Sequence, residues 1–217
     1  MDRFFLGCDP DTHTMPWAIV GANYRPVAVG MIRSPKAKAV IDMLDKMSDA
    51  YTGINGLQIV GRLVTQGCHA FAVESQELYT EGPHRTPNPR SIMHLAQVAG
   101  AMYFMCRCWH RDATGYFPRP AEWKGQIDKL AHHHRIATRA GMGDTLIMGG
   151  TDKYLSVVPG SATAKSIYGT DDLSPSDWKH VFDAIGLAQY AAEKHLYQTT
   201  KDRMLTAARS SVEAPHV

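Results

Sequence analysis

The chain opens with short hydrophobic runs broken by turn residues at close intervals. Phe4–Cys8 is apolar and is closed by Asp9-Pro10-Asp11-Thr12; apolar runs follow at residues 17–21 and 27–32, separated by Asn23-Tyr24-Arg25-Pro26. Strand-length runs with turn chemistry between them predict a β-meander. Ser34-Pro35 predicts a helix start, with serine as N-cap and proline in the first helical position. Helical spacing continues through Val40, Ile41, Leu44 and Met47, breaks at Gly53 and Gly56, and resumes through Leu57, Val60, Leu63 and Val64 to a stop at Gly67. Residues 70–73 predict a fourth strand, ending at Glu74.

Residues 82–89 hold three prolines and predict a loop directly after Glu74. A long helix is predicted over 90–109, where Ala, Met and Gly100 suit close packing on a sheet. A short strand is expected at 115–118, a turn at Trp123-Lys124-Gly125 and a helix over 126–138. Periodicity vanishes over 141–175, which predicts an irregular insertion. A last helix begins near residue 176 and carries Val181, Ile185, Leu187 and Ala188; from 201 to 217 a flexible tail is expected. The pattern predicts one α/β domain over 1–200, with a sheet flanked by helices on both faces. Should the fourth strand lie beside the first and parallel to it, Asp9 and Glu74 end at the same edge, where open α/β sheets bind ligands.

Composition narrows this only a little. With 44% hydrophobic and 20% charged residues the chain is long enough to bury a full core. No apolar run spans a bilayer and no charged-then-apolar leader precedes the first strand, so a cytoplasmic location with no membrane partner is the expectation. Cys8, Cys68, Cys106 and Cys108 have no zinc or redox spacing and read as reduced core or boundary thiols. A net charge of +2 does not by itself announce nucleic acid. Its distribution says more: Arg107, Arg111, Arg119, Lys124, Lys129, Arg135 and Arg139 face only Asp112, Glu122 and Asp128. Such a stretch fits phosphate contacts, and equally a solvated helix face.

The chemistry rests on four scattered side chains. Asp9 and Glu74 each close an apolar run, while His180 and Asp183 stand three apart in a helical pattern. Strand-end acids lose hydration and need a partner, and several together suit a hard divalent cation used for phosphoryl transfer. Each has a plainer reading: Asp-Pro is good turn chemistry, Glu74 can end a strand, and a lone His180 is a structural histidine. Asp183 between Phe182 and Ala184 is costly without a partner. Asp177, one turn back, reads as a helix cap. His132, His133 and His134 fan around a helix axis and cannot jointly chelate one ion. The glycine pairs near 141 and 149 lack the Lys-Ser/Thr of a phosphate loop, which argues against a nucleotide-binding or actin-like ATPase reading.

These residues resemble a known family. Leu6-Gly7-Cys8-Asp9-Pro10 resembles the opening strand of RuvC-type Holliday junction resolvases of the RNase H superfamily. Ala72-Val73-Glu74 resembles their second acidic motif, and 91–108, with Leu95, Gln97 and Gly100, the helix that follows it. Trp123-Lys124-Gly125 and Lys129 are similar to the basic substrate-facing segment, and His180-Val181-Phe182-Asp183-Ala184 to the closing motif. The resemblance implies an RNase H-like mixed five-stranded sheet with helices on both faces. It also implies a homodimer and cleavage of branched DNA, with Asp9, Glu74, His180 and Asp183 as catalytic, metal-binding residues. Two Mg²⁺ or Mn²⁺ ions, about 4 Å apart and bridged by Asp9, are implied, with nitrogen ligation by His180 favouring Mn²⁺. Lys124, Lys129 and Arg119 are the expected DNA contacts, with Tyr79 the nearest candidate to stack on an unpaired base. The chain departs from the pattern at Asp11, where glycine is usual, and at His180, where aspartate is common. The expected activity is Holliday junction resolution by paired symmetric nicks. The alternatives are a broader flap or fork nuclease and a non-catalytic branched-DNA-binding protein.

Overall fold

The computed structural model describes residues 3–11, 13–33, 67–75, 89–142, 146–149 and 154–212. The two helices expected between residues 34 and 66, the proline loop at 82–88 and Tyr79 lie outside the described residues.

Strand β1 (Phe4–Cys8) pairs antiparallel with β2 (Thr14–Gly21), which pairs antiparallel with β3 (Pro26–Arg33). β4 (Cys68–Val73) lies on the other side of β1 and parallel to it, and β5 (Thr114–Tyr116) is parallel to β4. The five-stranded sheet therefore runs β3-β2-β1-β4-β5, a mixed sheet of the expected class. β2 and β3 begin earlier than their apolar runs predict, because Thr14 to Pro16 and Pro26 continue the antiparallel ladder.

Alternation along the strands sends side chains to two cores. Leu6, Cys8, Phe71 and Val73 face helix α1 (Pro89–Trp109), meeting Val98, Met102 and Cys106. Phe5, Ala18, Val20, Ala70 and Ala72 face the opposite way, toward the last helix. That helix begins at Trp178, after a capped turn in which Asp177 accepts from the Ser174 backbone N–H at 2.7 Å and also pairs with Arg33. It runs to Val212, so the stretch 201–212 is helical where the sequence pattern suggested a tail.

Between β5 and that helix lie α2 (Pro120–Trp123), α3 (Lys129–Arg139), a hairpin of β6 (Leu146–Gly149) and β7 (Tyr154–Val157), and α4 (Ala162–Ser166). We number the last helix α5 (Trp178–Val212). The turn expected at 123–125 is thus preceded by a short helix, and α3 starts at Lys129 because the Asp128 side chain caps it, accepting from Leu130 and Ala131. Where it is described, the stretch expected to be irregular holds a hairpin and short helices and packs into the core: Leu155, Val157, Ala164 and Ile167 are buried against α5 and β3. Tyr168 forms a bridge to Ala28, donating to Val27 O at 3.0 Å and accepting from Val29 at 2.9 Å. Among the described residues no helix is long and apolar enough to cross a membrane.

Candidate active site

The parallel pairing of β1 and β4 is what brings the two strand-end acids together. Cys8 is in register with Val73, and the Glu74 backbone N–H donates to Cys8 O at 3.1 Å, so Asp9 and Glu74 leave the sheet at one edge. Helix α5 crosses the same sheet and presents Asp183, only 2% exposed, to that edge. The crossing is close because Gly7 has no side chain: a Cβ there would lie 2.2 Å from Ala184 O and 2.3 Å from Ala188 N.

Each carboxylate is held differently. Glu74 accepts from Trp123 Nε1 at 3.1 Å and meets Lys124 Nζ at 3.0 Å. Asp183 meets Lys129 Nζ at 2.9 Å, His133 Nε2 at 3.1 Å and Lys124 Nζ at 3.7 Å. The His133 bond to a carboxylate puts that ring's proton on Nε2. Half-buried Asp9 receives no side-chain hydrogen bond among the described residues, although its own backbone N–H donates to Pro16 O. Lys124 is drawn back into the site by Gly125, whose left-handed φ of +70° turns the chain between α2 and α3.

The electrostatics follow from this arrangement. Burial, then the Glu74 and Asp183 charges, push the Asp9 pKa well above the usual carboxylate range. Burial also raises Glu74, against the pull of Lys124. Burial opposes ionisation of Asp183 too, but His133, Lys124 and Lys129 outweigh it and hold its pKa below the usual value. A carboxylate raised by burial and like charges, beside one held down by a histidine hydrogen bond and two lysines, is a common signature of a functional site. His180 stands one turn before Asp183 and is half-buried; desolvation, then Lys129 and Lys179, lower its pKa, while Asp183 and Asp11 oppose this.

The structure therefore brings Asp9, Glu74 and Asp183 together, with His180 beside them. It places Lys124 and Lys129 among the acids rather than on an open face, although the Lys129 side chain remains 58% exposed. Arg119 is exposed and pairs with Glu122 at 3.3 Å. Among the described residues no three His, Cys, Asp or Glu side chains are arranged to hold an ion as they stand. The donor set nevertheless suits a hard cation: two carboxylates share the Lys124 ammonium, and the ionised form of a third is disfavoured by burial and by their charge. Nothing in the sequence pattern marks Trp123 and His133 as partners of the acids. A histidine triplet reveals nothing about which ring faces inward until α3 is packed on α5.

Buried histidines also set the acid side of stability. Burial lowers the pKa of His132 and of His110 to about 4. The folded state keeps both neutral, while the unfolded chain takes up protons below the ordinary value of about 6.5. Their contribution is complete above that value and is lost as pH falls toward 4. Thermal melts are expected to show a lower Tm at pH 5 than at pH 7, and a shallower dependence in the His110→Gln/His132→Gln variant. An equal slope in both proteins would contradict this.

No family model matches the chain, and none of the curated proteins does. By structure it is similar to the RuvC of T. thermophilus, solved in complex with a Holliday junction substrate. The likeness covers 91% of this chain and 96% of that one, with a TM-score of 0.52 and 13% identity. The fold is accordingly RuvC-like, a mixed five-stranded α/β sheet of the RNase H type.

Proposed function

We propose that the protein is a divalent-metal-dependent endonuclease that resolves four-way DNA junctions, with Asp9, Glu74, His180 and Asp183 as its metal-site residues. The observation carrying this reading is the convergence of three carboxylates at one sheet edge, with two lysines in contact. The similarity in fold to a protein solved with a Holliday junction favours branched DNA as the substrate class.

When bound, Mg²⁺ or Mn²⁺ would supply an activated water and stabilise the departing oxygen of the cleaved phosphodiester. The chain's own residues prepare for that. Trp123 fixes one oxygen of Glu74, and His133 fixes one oxygen of Asp183, so both carboxylates are oriented before substrate arrives. Lys124 balances the acids from inside, and exposed Lys129 is positioned to meet a backbone phosphate.

Paired nicks on a two-fold junction call for a two-fold protein. Helix α1 offers a face for it: Met93 and Phe104 are 63% and 68% exposed, and Gln97 and Gly100 complete the same stripe at helical spacing. A side chain at Gly100 would meet nothing within 4 Å, which leaves room for a second copy to approach. Phe104→Glu is expected to turn a dimer into a monomer in sedimentation, with Tm little changed because the side chain is exposed. A wild type that sediments as a monomer at all concentrations would exclude this face.

The reading is tested by mapping cuts on a labelled four-way junction, a flap and a linear duplex. Paired symmetric nicks on the junction alone are expected. Equal cutting of flap and junction would make the protein a general branched-DNA nuclease, and tight binding without cutting would make it a scaffold.

A further inference from the structure

A cavity of about 370 Å³ lies in the groove between α3 and α5, closed at one end by α2, and the chemistry at the sheet edge makes no use of it. Its rim is exposed, with Arg135, Arg139, Glu193 and Lys194 around it. Both acids of the lining are engaged: Glu193 accepts from Arg139 at 2.8 Å, and Glu122 pairs with Arg119 at 3.3 Å. Arg135 and Lys194 form no ion pair among the described residues; Arg135 bonds to neutral acceptors, and Lys194 lies 5.4 Å from the centre of the Tyr190 ring. Two cations are left for an anion that enters the groove.

The buried side of the cavity adds an acceptor. Gln189 lines it and is 3% exposed, and its carboxamide nitrogen donates to Tyr24 O at 3.1 Å and to Ile136 O at 3.3 Å. Its Oε1 accepts no hydrogen bond among the described residues. The unpartnered side-chain atoms sealed from solvent there are His132 Nε2 and Ser156 Oγ, so Gln189 Oε1 is reachable, through the cavity its side chain lines. An unused acceptor on a buried side chain carries a cost that a ligand N–H would offset.

The far wall reaches the acid cluster. The Trp123 indole spans the distance: its Nε1 donates to Glu74 at 3.1 Å, while its Cζ3 edge packs at Gly186, where a Cβ would stand 2.5 Å away. Arg135 supports the same segment, donating to the Trp123 and Lys124 carbonyl oxygens at 3.5 Å each and to His132 Nδ1 at 3.0 Å. Hydrogen bonds of 3.5 Å are weak and yield to a charge-assisted one.

We infer that this cavity binds a nucleoside monophosphate and that its occupancy slows DNA cleavage. The phosphate sits at Arg135 and Lys194, and the base lies on the Tyr190 ring and gives an N–H to Gln189 Oε1. The volume suits one nucleotide. A phosphate monoester draws Arg135 out of its long bonds to the two carbonyls, and so loosens Trp123 and Lys124, the side chains that hold Glu74. The binding stands without the nuclease reading, whereas the effect on cleavage rests on it.

Calorimetry in chelator tests binding first, because no metal is then present to hold a phosphate at the acids. The probes are the four ribonucleoside 5′-monophosphates, beside inorganic phosphate and adenosine. At least one nucleotide is expected to saturate with a Kd below about 1 mM, at least about tenfold tighter than phosphate or adenosine alone. Lys194→Glu should weaken that binding by about tenfold or more and hold its Tm, because the position is exposed. Single-turnover junction cleavage at fixed free Mg²⁺ should slow by about fivefold or more as the nucleotide saturates, over a range that Lys194→Glu shifts by its loss in affinity. Arg135→Ala should cut slowly without nucleotide and slow no further with it. No saturable binding of any monophosphate, or an equal affinity for inorganic phosphate, overturns the inference and leaves the nuclease reading intact. So does binding that leaves the cleavage rate unchanged. A protein that binds the nucleotide but cuts no junction in either metal overturns the nuclease reading, and with it the effect on cleavage, and leaves the binding site standing.

Discussion

Asp9→Asn is expected to lose at least about 10³-fold in junction cleavage, the scale on which a group stabilising transition-state charge acts, while the protein becomes no less stable. The argument is electrostatic. The Asp9 carboxylate receives no hydrogen bond among the described residues, and burial together with Glu74 and Asp183 makes its ionised form unfavourable. An amide of the same shape removes the charge that opposes folding, so Tm should rise or stay level, and junction binding should survive. A site that works against its own fold until it is loaded is what a stability–activity trade-off predicts. Asp9→Asn that cuts at the wild-type rate would remove Asp9 from the chemistry. A fall of several degrees in Tm would mean that its charge holds the fold together.

Gly7→Ala is expected to be strongly damaging although it adds a single methyl group. The added Cβ would stand 2.2 Å from Ala184 O and 2.3 Å from Ala188 N, both backbone atoms of α5 that have no rotamer by which to give way. Overpacking of side chains costs about 1–3 kcal/mol, and a backbone clash lies at or beyond the upper end of that range. The geometry of the site suffers with the fold, because the β1–α5 crossing sets how far Asp9 lies from Asp183. Cleavage should therefore fall further than the fraction unfolded explains, as measured by denaturant titration beside activity at the same temperature. Wild-type midpoint and wild-type rate together would contradict the close crossing.

What the sequence made legible follows from how locally each feature is encoded. Asp9 and Glu74 were visible because a charged residue ending an apolar run is a one-dimensional signal, and parallel pairing of β1 with β4 then places both at one edge. The hairpin was not, because Leu155, Ser156 and Val157 are all buried and the strand has no polar face to create alternation. Residues 201–212 look like a tail because no apolar face marks them; Lys, Arg, Met, Leu and Ala favour helix by intrinsic propensity, and the segment simply extends α5. Lys124 and Lys129 read as surface cations in a basic stretch, and only the turn at Gly125 and the α3–α5 packing direct them into the acids. The adjacent His132 and His133 are both buried, because the inward face of α3 also takes Ile136 and Ala137 and is wide enough to hold neighbouring positions.

The most direct test of the central claim is single-turnover cleavage of a labelled four-way junction across a titration of Mg²⁺ and of Mn²⁺, starting from chelator. The account predicts no product in chelator and a rate that rises and saturates with either ion, with Mn²⁺ at least as effective as Mg²⁺ because His180 stands beside the acids. Cutting that persists in chelator would contradict it, as would tight junction binding with no product at any concentration of either ion.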